Sequence, residues 1–329
     1  MIHSFGREEA ADLAATAAFL EMADGLGLTA ILDGRASFTI DEAADQADLP
    51  IVGAARFIDA LVAAQLVEHD ESDGTRFRAC ADMAEMRYEA GYLTWSLYAN
   101  QPFVENPAAF LRDRSAAMDK FRREGRRVAV SSRWIGSQGF YPQAFAAIVS
   151  LNPRRVVDLG AGTAGLLIDV LAALPESTGL ALDISADACA EAQRAARRAG
   201  VADRLEVVTR PIESLVDDSG PVAGADVVHA GFVMHDIISR SDVFQAVLRR
   251  CRAAMSSNGR VLVTDGVGFV ADSRERRFSA LFAFLHANFM DVDLPPVERW
   301  VDAFRRAGFG TVTHSPHRFP NGRLFVAAD

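Results

Sequence analysis

The chain has 329 residues, half of them hydrophobic and 24% charged, with a mean hydropathy of +0.08. That excludes a disordered or fibrous chain and leaves room for about two domains of ~150 residues. The first 80 residues hold 15 Asp and Glu against 5 Lys and Arg, so the whole net charge of −10 is concentrated there. Such a segment repels a phosphate backbone, and nucleic acid is not expected as a partner.

In chain order, apolar residues recur at helical spacing from Glu8 to Leu32. Thr39-Ile40-Asp41-Glu42 opens a short helix running from Glu42 to Ala47, and Ile51 to Gln65 forms a second. Leu66 to His69 and Thr75 to Arg78 read as a hairpin around a polar turn. Helix, turn, helix and hairpin make a winged-helix pattern. The second helix carries only Arg56, against Asp59, so packing or dimerisation is the expected role rather than DNA binding. Residues 82 to 150 are predicted helical and are rich in aromatic residues, as a connecting layer that also roofs a pocket would be. No uncharged apolar run approaches the roughly 18 residues of a membrane span. Arg7, Glu8 and Glu9 interrupt the N-terminus before any leader-like core, so a cytoplasmic protein without membrane attachment is expected. Cys80, Cys189 and Cys251 have no metal-type spacing and fit a reducing compartment.

From Arg154 onward strands and helices alternate. Strands are expected at Val156–Leu159, Gly179–Asp183, Leu205–Thr209, Ala225–Ala230 and Gly259–Asp265, with helices between most of them. A last helix, Val297 to Ala307, precedes strands at Thr311–His314 and Arg323–Ala327. Fully apolar strands alternating with helices predict an α/β fold, a doubly wound sheet covered on both faces.

Gly160-Ala161-Gly162-Thr163-Ala164-Gly165 follows a strand and opens a helix. That context raises a glycine motif above chance. Asp183 ends the second strand, where a carboxylate can accept both ribose hydroxyls of a nucleoside. A dinucleotide and S-adenosylmethionine both fit. The acid at Asp158, just before the first glycine, favours the second, because it suits a cationic ligand group and disfavours a pyrophosphate.

Val156-Val157-Asp158-Leu159-Gly160-Ala161-Gly162 resembles the first motif of class I S-adenosylmethionine-dependent methyltransferases. The resemblance implies a Rossmann-like catalytic domain with Asp158, Gly160, Gly162, Asp183 and Ile184 at the cofactor. The N-terminus is similar to that of small-molecule O-methyltransferases, which dimerise through it. On this resemblance residues 1–80 are a winged-helix-like dimerisation domain, 81–150 a helical connector and pocket roof, and 151–329 the cofactor-binding domain. Where the family often has Gly-Asp after its third strand, this chain has Arg210-Pro211-Ile212-Glu213.

Strand Ala225–Ala230 leads into Gly231-Phe232-Val233-Met234-His235-Asp236, which places His235 and Asp236 beyond a strand end, where ligands gather in such sheets. Plant and bacterial O-methyltransferases similarly carry a Leu-His-Asp there, whose histidine deprotonates a hydroxyl. His286 follows 51 residues later, among Phe282, Phe284, Phe289 and Met290. It is either a core residue or, with His235 and the carboxylate of Asp236, part of a metal coordination sphere. That pairing resembles the α-keto acid C-methyltransferases of nonribosomal-peptide pathways, in which two histidines hold a metal that chelates the substrate. The resemblance implies an iron or zinc ion on His235 and His286, and methylation of the β-carbon of a 2-oxo acid through an enolate. A metal-free O-methyltransferase with His235 as base is the alternative, and a methyltransferase-like binding protein is a third.

Arg127 and Arg133 are candidates to pair with a substrate carboxylate, or else part of a solvated basic face. His229 is expected to be structural, while His3, His69, His314 and His317 are expected at the surface. Asp265 and Gly266 border the expected pocket without an assigned role.

Overall fold

The computed structural model describes residues 7–34 and 36–329; His3 lies outside them. The chain divides into two compact units, Met1–Gly139 and Phe140–Asp329. Residues 81–150 are therefore shared between the units and do not form a body of their own.

The first unit begins with α1 (Arg7–Gly25) and α2 (Thr29–Asp33). The single periodic run expected from Glu8 to Leu32 breaks between them, where Gly27 takes φ +73°. A capping box opens α3 (Ile40–Ala47): the Thr39 hydroxyl accepts from the Glu42 amide at 3.1 Å, and the Glu42 carboxylate accepts from the Thr39 amide at 2.8 Å. Helix α4 (Ile51–Ala63) and the hairpin β1 (Val67–Asp70) and β2 (Asp73–Ala79) follow. Phe38 forms an isolated antiparallel bridge to Phe77 beside the hairpin. The unit continues through α5 (Met83–Leu93), a π-helical turn at Thr94–Ala99, α6 (Gln101–Glu105), α7 (Pro107–Arg112), α8 (Arg114–Lys120) and α9 (Gly125–Gly139). Leu20, Leu28, Ile58, Leu61, Phe77 and Trp134 form a core of its own.

The second unit starts with α10 (Tyr141–Ser150), followed by β3 (Arg155–Leu159), α11 (Gly165–Ala173), β4 (Thr178–Asp183), α12 (Ala186–Arg198) and β5 (Leu205–Thr209). Then come β6 (Val227–Gly231), α13 (His235–Ile238), α14 (Ser241–Ala254), β7 (Arg260–Gly266), α15 (Arg276–Leu285), a π-helical turn at His286–Met290, α16 (Val297–Arg306), β8 (Thr311–Pro316) and β9 (Gly322–Ala328). The sheet order is β5-β4-β3-β6-β7-β9-β8. The first five strands are parallel, and β9 runs antiparallel to both β7 and β8. Alternate residues of the strands feed two cores. Val157, Val228 and Val263 lie on one face with Trp300 and Phe304, and Val156, Val227 and Leu262 on the other with Ile148 and Leu167.

Strand order reverses at β3, whose neighbours are β4 on one side and β6 on the other. Such a reversal opens a crevice at the carboxyl ends of the strands. The turn between β8 and β9 lies at the same end, because Gly266 at the end of β7 pairs with Gly322 at the start of β9. Among the described residues no helix is long and apolar enough to cross a membrane.

Candidate active site

Beyond β3 the chain turns through two positive-φ glycines, Gly160 at +68° and Gly162 at +55°. The Gly160 amide donates to the Leu182 carbonyl at 2.7 Å. A side chain at Gly160 would put its Cβ 2.6 Å from Val233 Cγ1, so both conformation and space require glycine. The Gly162 amide donates to one oxygen of Asp183 and the Ser185 amide to the other, each at 2.8 Å. This fixes the carboxylate beside the loop, and the neighbouring Ile184 side chain is 73% exposed.

Asp158, expected at the cofactor, is buried and accepts a hydrogen bond from His229 Nδ1 at 2.8 Å. The cause is register: β3 and β6 are neighbours, and Asp158 stands opposite His229. His229 Nε2 lies 3.4 Å from the Thr264 hydroxyl, so a strip of polar groups crosses the inner strands. At the position after β5, Arg210 pairs with Asp218 at 2.8 Å and Glu213 with Arg240.

His235 opens α13 after a tight turn in which Phe232 takes φ +53°. Its partner is Asp265, fully buried at the end of β7. The His235 amide donates to Asp265 Oδ2 at 3.0 Å, and its Nδ1 lies 2.6 Å from Oδ1. An ionised carboxylate only accepts, so Nδ1 carries the proton and Nε2 keeps the lone pair. Burial depresses the imidazole pKa, but the charge and hydrogen bond of Asp265, together with Asp236, outweigh it and raise it above the ordinary histidine value. Asp236 Oδ1 lies 3.5 Å from His235 Nε2, and its side chain is mostly exposed. The role of Asp265 was missed in the sequence. Its only signal was an acid ending an apolar strand.

His286 begins the π-helical turn after α15 and is buried. Its Nδ1 donates to the Phe282 carbonyl at 2.7 Å, and its ring lies on the Phe282 ring with centroids 4.1 Å apart. The rings of His235 and His286 are 5.8 Å apart and nearly perpendicular at 86°. Two histidines remote in the chain are thus neighbours in space. Phe282 and Phe289 are buried, whereas Phe284 is 42% exposed.

The donor set lends no support to the expected iron or zinc ion beyond the nearness of the two histidines. Among the described residues no group of three or more His, Cys, Asp or Glu side chains is arranged to hold a metal ion. Each imidazole holds its Nδ1 on an acceptor of the chain itself, which leaves Nε2 as the nitrogen open to a proton or a ligand, and the third expected donor, Asp236, is mostly exposed.

Arg127 pairs with Glu124 at 3.0 Å, and Arg133 lies 3.9 Å from Asp33, all within the first unit. His69 and His314 are exposed. His317, expected at the surface, is 7% exposed. It sits in the turn between β8 and β9, which folds under aromatic side chains at the carboxyl end of the sheet.

Comparison with known proteins agrees with this geometry. Residues 157–261 match the family described as "Methyltransferase domain". It is 39% identical over 113 residues to the 2,7-dihydroxy-5-methyl-1-naphthoate 7-O-methyltransferase of Streptomyces carzinostaticus, over 34% of this chain and 32% of that protein. It is 32% identical over 171 residues to a phenazine O-methyltransferase of Lysobacter antibioticus, over 51% of this chain and 46% of that protein. The matches thus span less than half the length of these two relatives. The fold is that of class I methyltransferases: the structure of human N-acetylserotonin methyltransferase with S-adenosylmethionine covers 100% of this chain and 99% of that one at a TM-score of 0.61, with 14% identity.

Proposed function

We propose that the protein is an S-adenosylmethionine-dependent O-methyltransferase acting on a hydroxyl of a small aromatic acceptor, with His235 as general base. The observation that carries this reading is the 2.6 Å bond between His235 Nδ1 and buried Asp265, which leaves Nε2 as the basic nitrogen beyond the sheet.

Gly160, Gly162 and Asp183 are assigned to the cofactor. The turn lets backbone come close to a ligand, and the Asp183 carboxylate is held ready for ribose hydroxyls. When bound, S-adenosylmethionine would supply an electrophilic sulfonium methyl. His235 Nε2 would take the proton from the acceptor hydroxyl and so make its oxygen the nucleophile. The imidazolium that forms is stabilised by the Asp265 carboxylate, which also prevents the ring from turning. A positioned base of this kind contributes about 10²–10⁴-fold, and alignment of the two substrates supplies most of the remainder.

Two similar proteins, named for a naphthoate and a phenazine, methylate oxygen, which supports an aromatic acceptor here. Dimerisation through the first unit belongs to the same reading. It is supported by the winged-helix pattern and by Leu97, Val104 and Leu111, which are 46–59% exposed there.

The convergence of His235 and His286 favours one second reading, C-methylation of a 2-oxo acid held by a metal. Among the described residues no third His, Cys, Asp or Glu side chain completes a metal centre there.

Transfer of labelled methyl to 1-naphthol by protein treated with a strong chelator tests the two. The proposed reading expects transfer that persists after chelation and falls about 10²–10⁴-fold in His235→Ala with cofactor affinity retained. Transfer to phenylpyruvate carbon that chelation abolishes, with no transfer to oxygen, would overturn it.

A further inference from the structure

The turn between β8 and β9 carries a buried polar group that the chemistry above does not use. Neither His317 Nδ1 nor Nε2 has a hydrogen-bond partner. Among the described residues it is the only side chain with two buried polar atoms in that condition. Burial, with the charges of His229 and Arg323, pushes its pKa down to about 4, so the ring is neutral near pH 7. A neutral imidazole offers one donor and one acceptor, and burying both without partners is costly.

The surroundings of His317 are aromatic and built to hold it in place. Phe140 lies 6.4 Å away, edge to face. Phe140 also packs against Phe232 at 4.4 Å and Phe319 at 6.0 Å. Phe319 lies 5.6 Å from Phe282, the ring on which His286 rests. A continuous series of ring contacts therefore links His286, beside His235, to His317. Phe232 holds a positive φ that a bulky residue seldom adopts, and such strain concentrates at ligand sites. The turn itself is anchored from below. Glu275 accepts from the Asn321 amide at 2.6 Å and pairs with Arg323 at 3.0 Å, which ties the start of α15 to the turn.

We infer that His317 is a specificity-determining residue that hydrogen-bonds a second oxygen substituent, hydroxyl or carbonyl, on the aromatic acceptor whose first hydroxyl faces His235. The assignment rests on the proposed activity. A hydroxyl matches the ring's donor and acceptor together, and the aromatic residues linking the two histidines suit the flat body of such a ligand.

The test compares 1-naphthol with a set of dihydroxynaphthalene isomers, measured by calorimetric binding to protein loaded with S-adenosylhomocysteine. In the wild type at least one isomer is expected to bind ten-fold or more tightly than 1-naphthol. In His317→Leu that preference disappears, while affinity for 1-naphthol and for S-adenosylhomocysteine stays within two-fold. His317→Gln, which keeps a donor and an acceptor, retains part of the preference, and thermal melts of both variants show whether the fold is intact. The inference is overturned if no isomer is preferred, if the preference survives in His317→Leu, or if that variant loses cofactor affinity instead. Labelled-methyl transfer run in parallel separates the two claims. Transfer without dependence on His317 refutes this inference alone. A His317-dependent preference without transfer refutes the O-methylation reading alone.

Discussion

His235 shows how one carboxylate sets both the position and the basicity of an imidazole. Asp265 takes both the backbone amide and Nδ1 of His235, so the ring cannot rotate without breaking bonds to a buried charge. Because the base must be neutral to accept a proton, its raised pKa places the acid limb of the rate profile above the ordinary histidine value of 6.5. Activity should rise as pH increases through that limb. Asp265→Asn removes the charge that raises the pKa and leaves burial, which lowers it, so the limb should move to lower pH. The plateau rate should also fall, by about 10²–10⁴-fold, as the ring loses its fixed tautomer. A pH series of kcat for both proteins checks this, and an unmoved limb would refute the role given to Asp265.

At the scale of elements, the glycine turn after β3 shapes the cofactor side. Gly160→Ala meets two obstacles: a φ of +68° that alanine disfavours, and the Val233 side chain 2.6 Å from the new Cβ. Val233 belongs to the turn that leads to His235, so relief of the clash shifts the base as well. We expect a loss of about 1–3 kcal/mol of stability and at least a ten-fold loss of S-adenosylhomocysteine affinity, read by denaturant melts and calorimetry. Val233→Ala added to Gly160→Ala removes the clash but not the dihedral penalty, and should recover part of the affinity. Elsewhere the elements follow local rules visible in the sequence, as with the Thr39–Glu42 box that opens α3. The break after α1 was not visible, because the helical period continues across Gly27 and only the positive φ there interrupts it.

At the scale of the whole molecule, each unit has its own core. The acidic charge counted over the first 80 residues falls in the first unit. Exposed apolar side chains at Leu97, Val104 and Leu111 lie in that unit too. Sedimentation equilibrium should therefore give twice the 35.5 kDa chain mass. Leu111→Glu combined with Val104→Glu should shift the protein toward the monomer without loss of helical content. A wild-type protein that sediments at the mass of one chain would remove the dimer from the proposal.

By itself the sequence determined the parallel strands of the second unit, the glycine turn with its acid at Asp183, and the placement of His235 beyond a strand end. These depend on spacing within a few residues and on the periods of helix and strand, which a linear reading preserves. Tertiary structure decided the partners. Asp158 found His229 across neighbouring strands, Asp265 found His235 across 30 residues, and His286 came beside His235 through a helix that follows a different strand. It also buried His317, which the sequence set at the surface because a histidine in a polar turn looks solvated until the rings that cover it are in place. Hydrogen bonding and burial are decided by which strand ends the fold brings together, and no local pattern encodes that meeting.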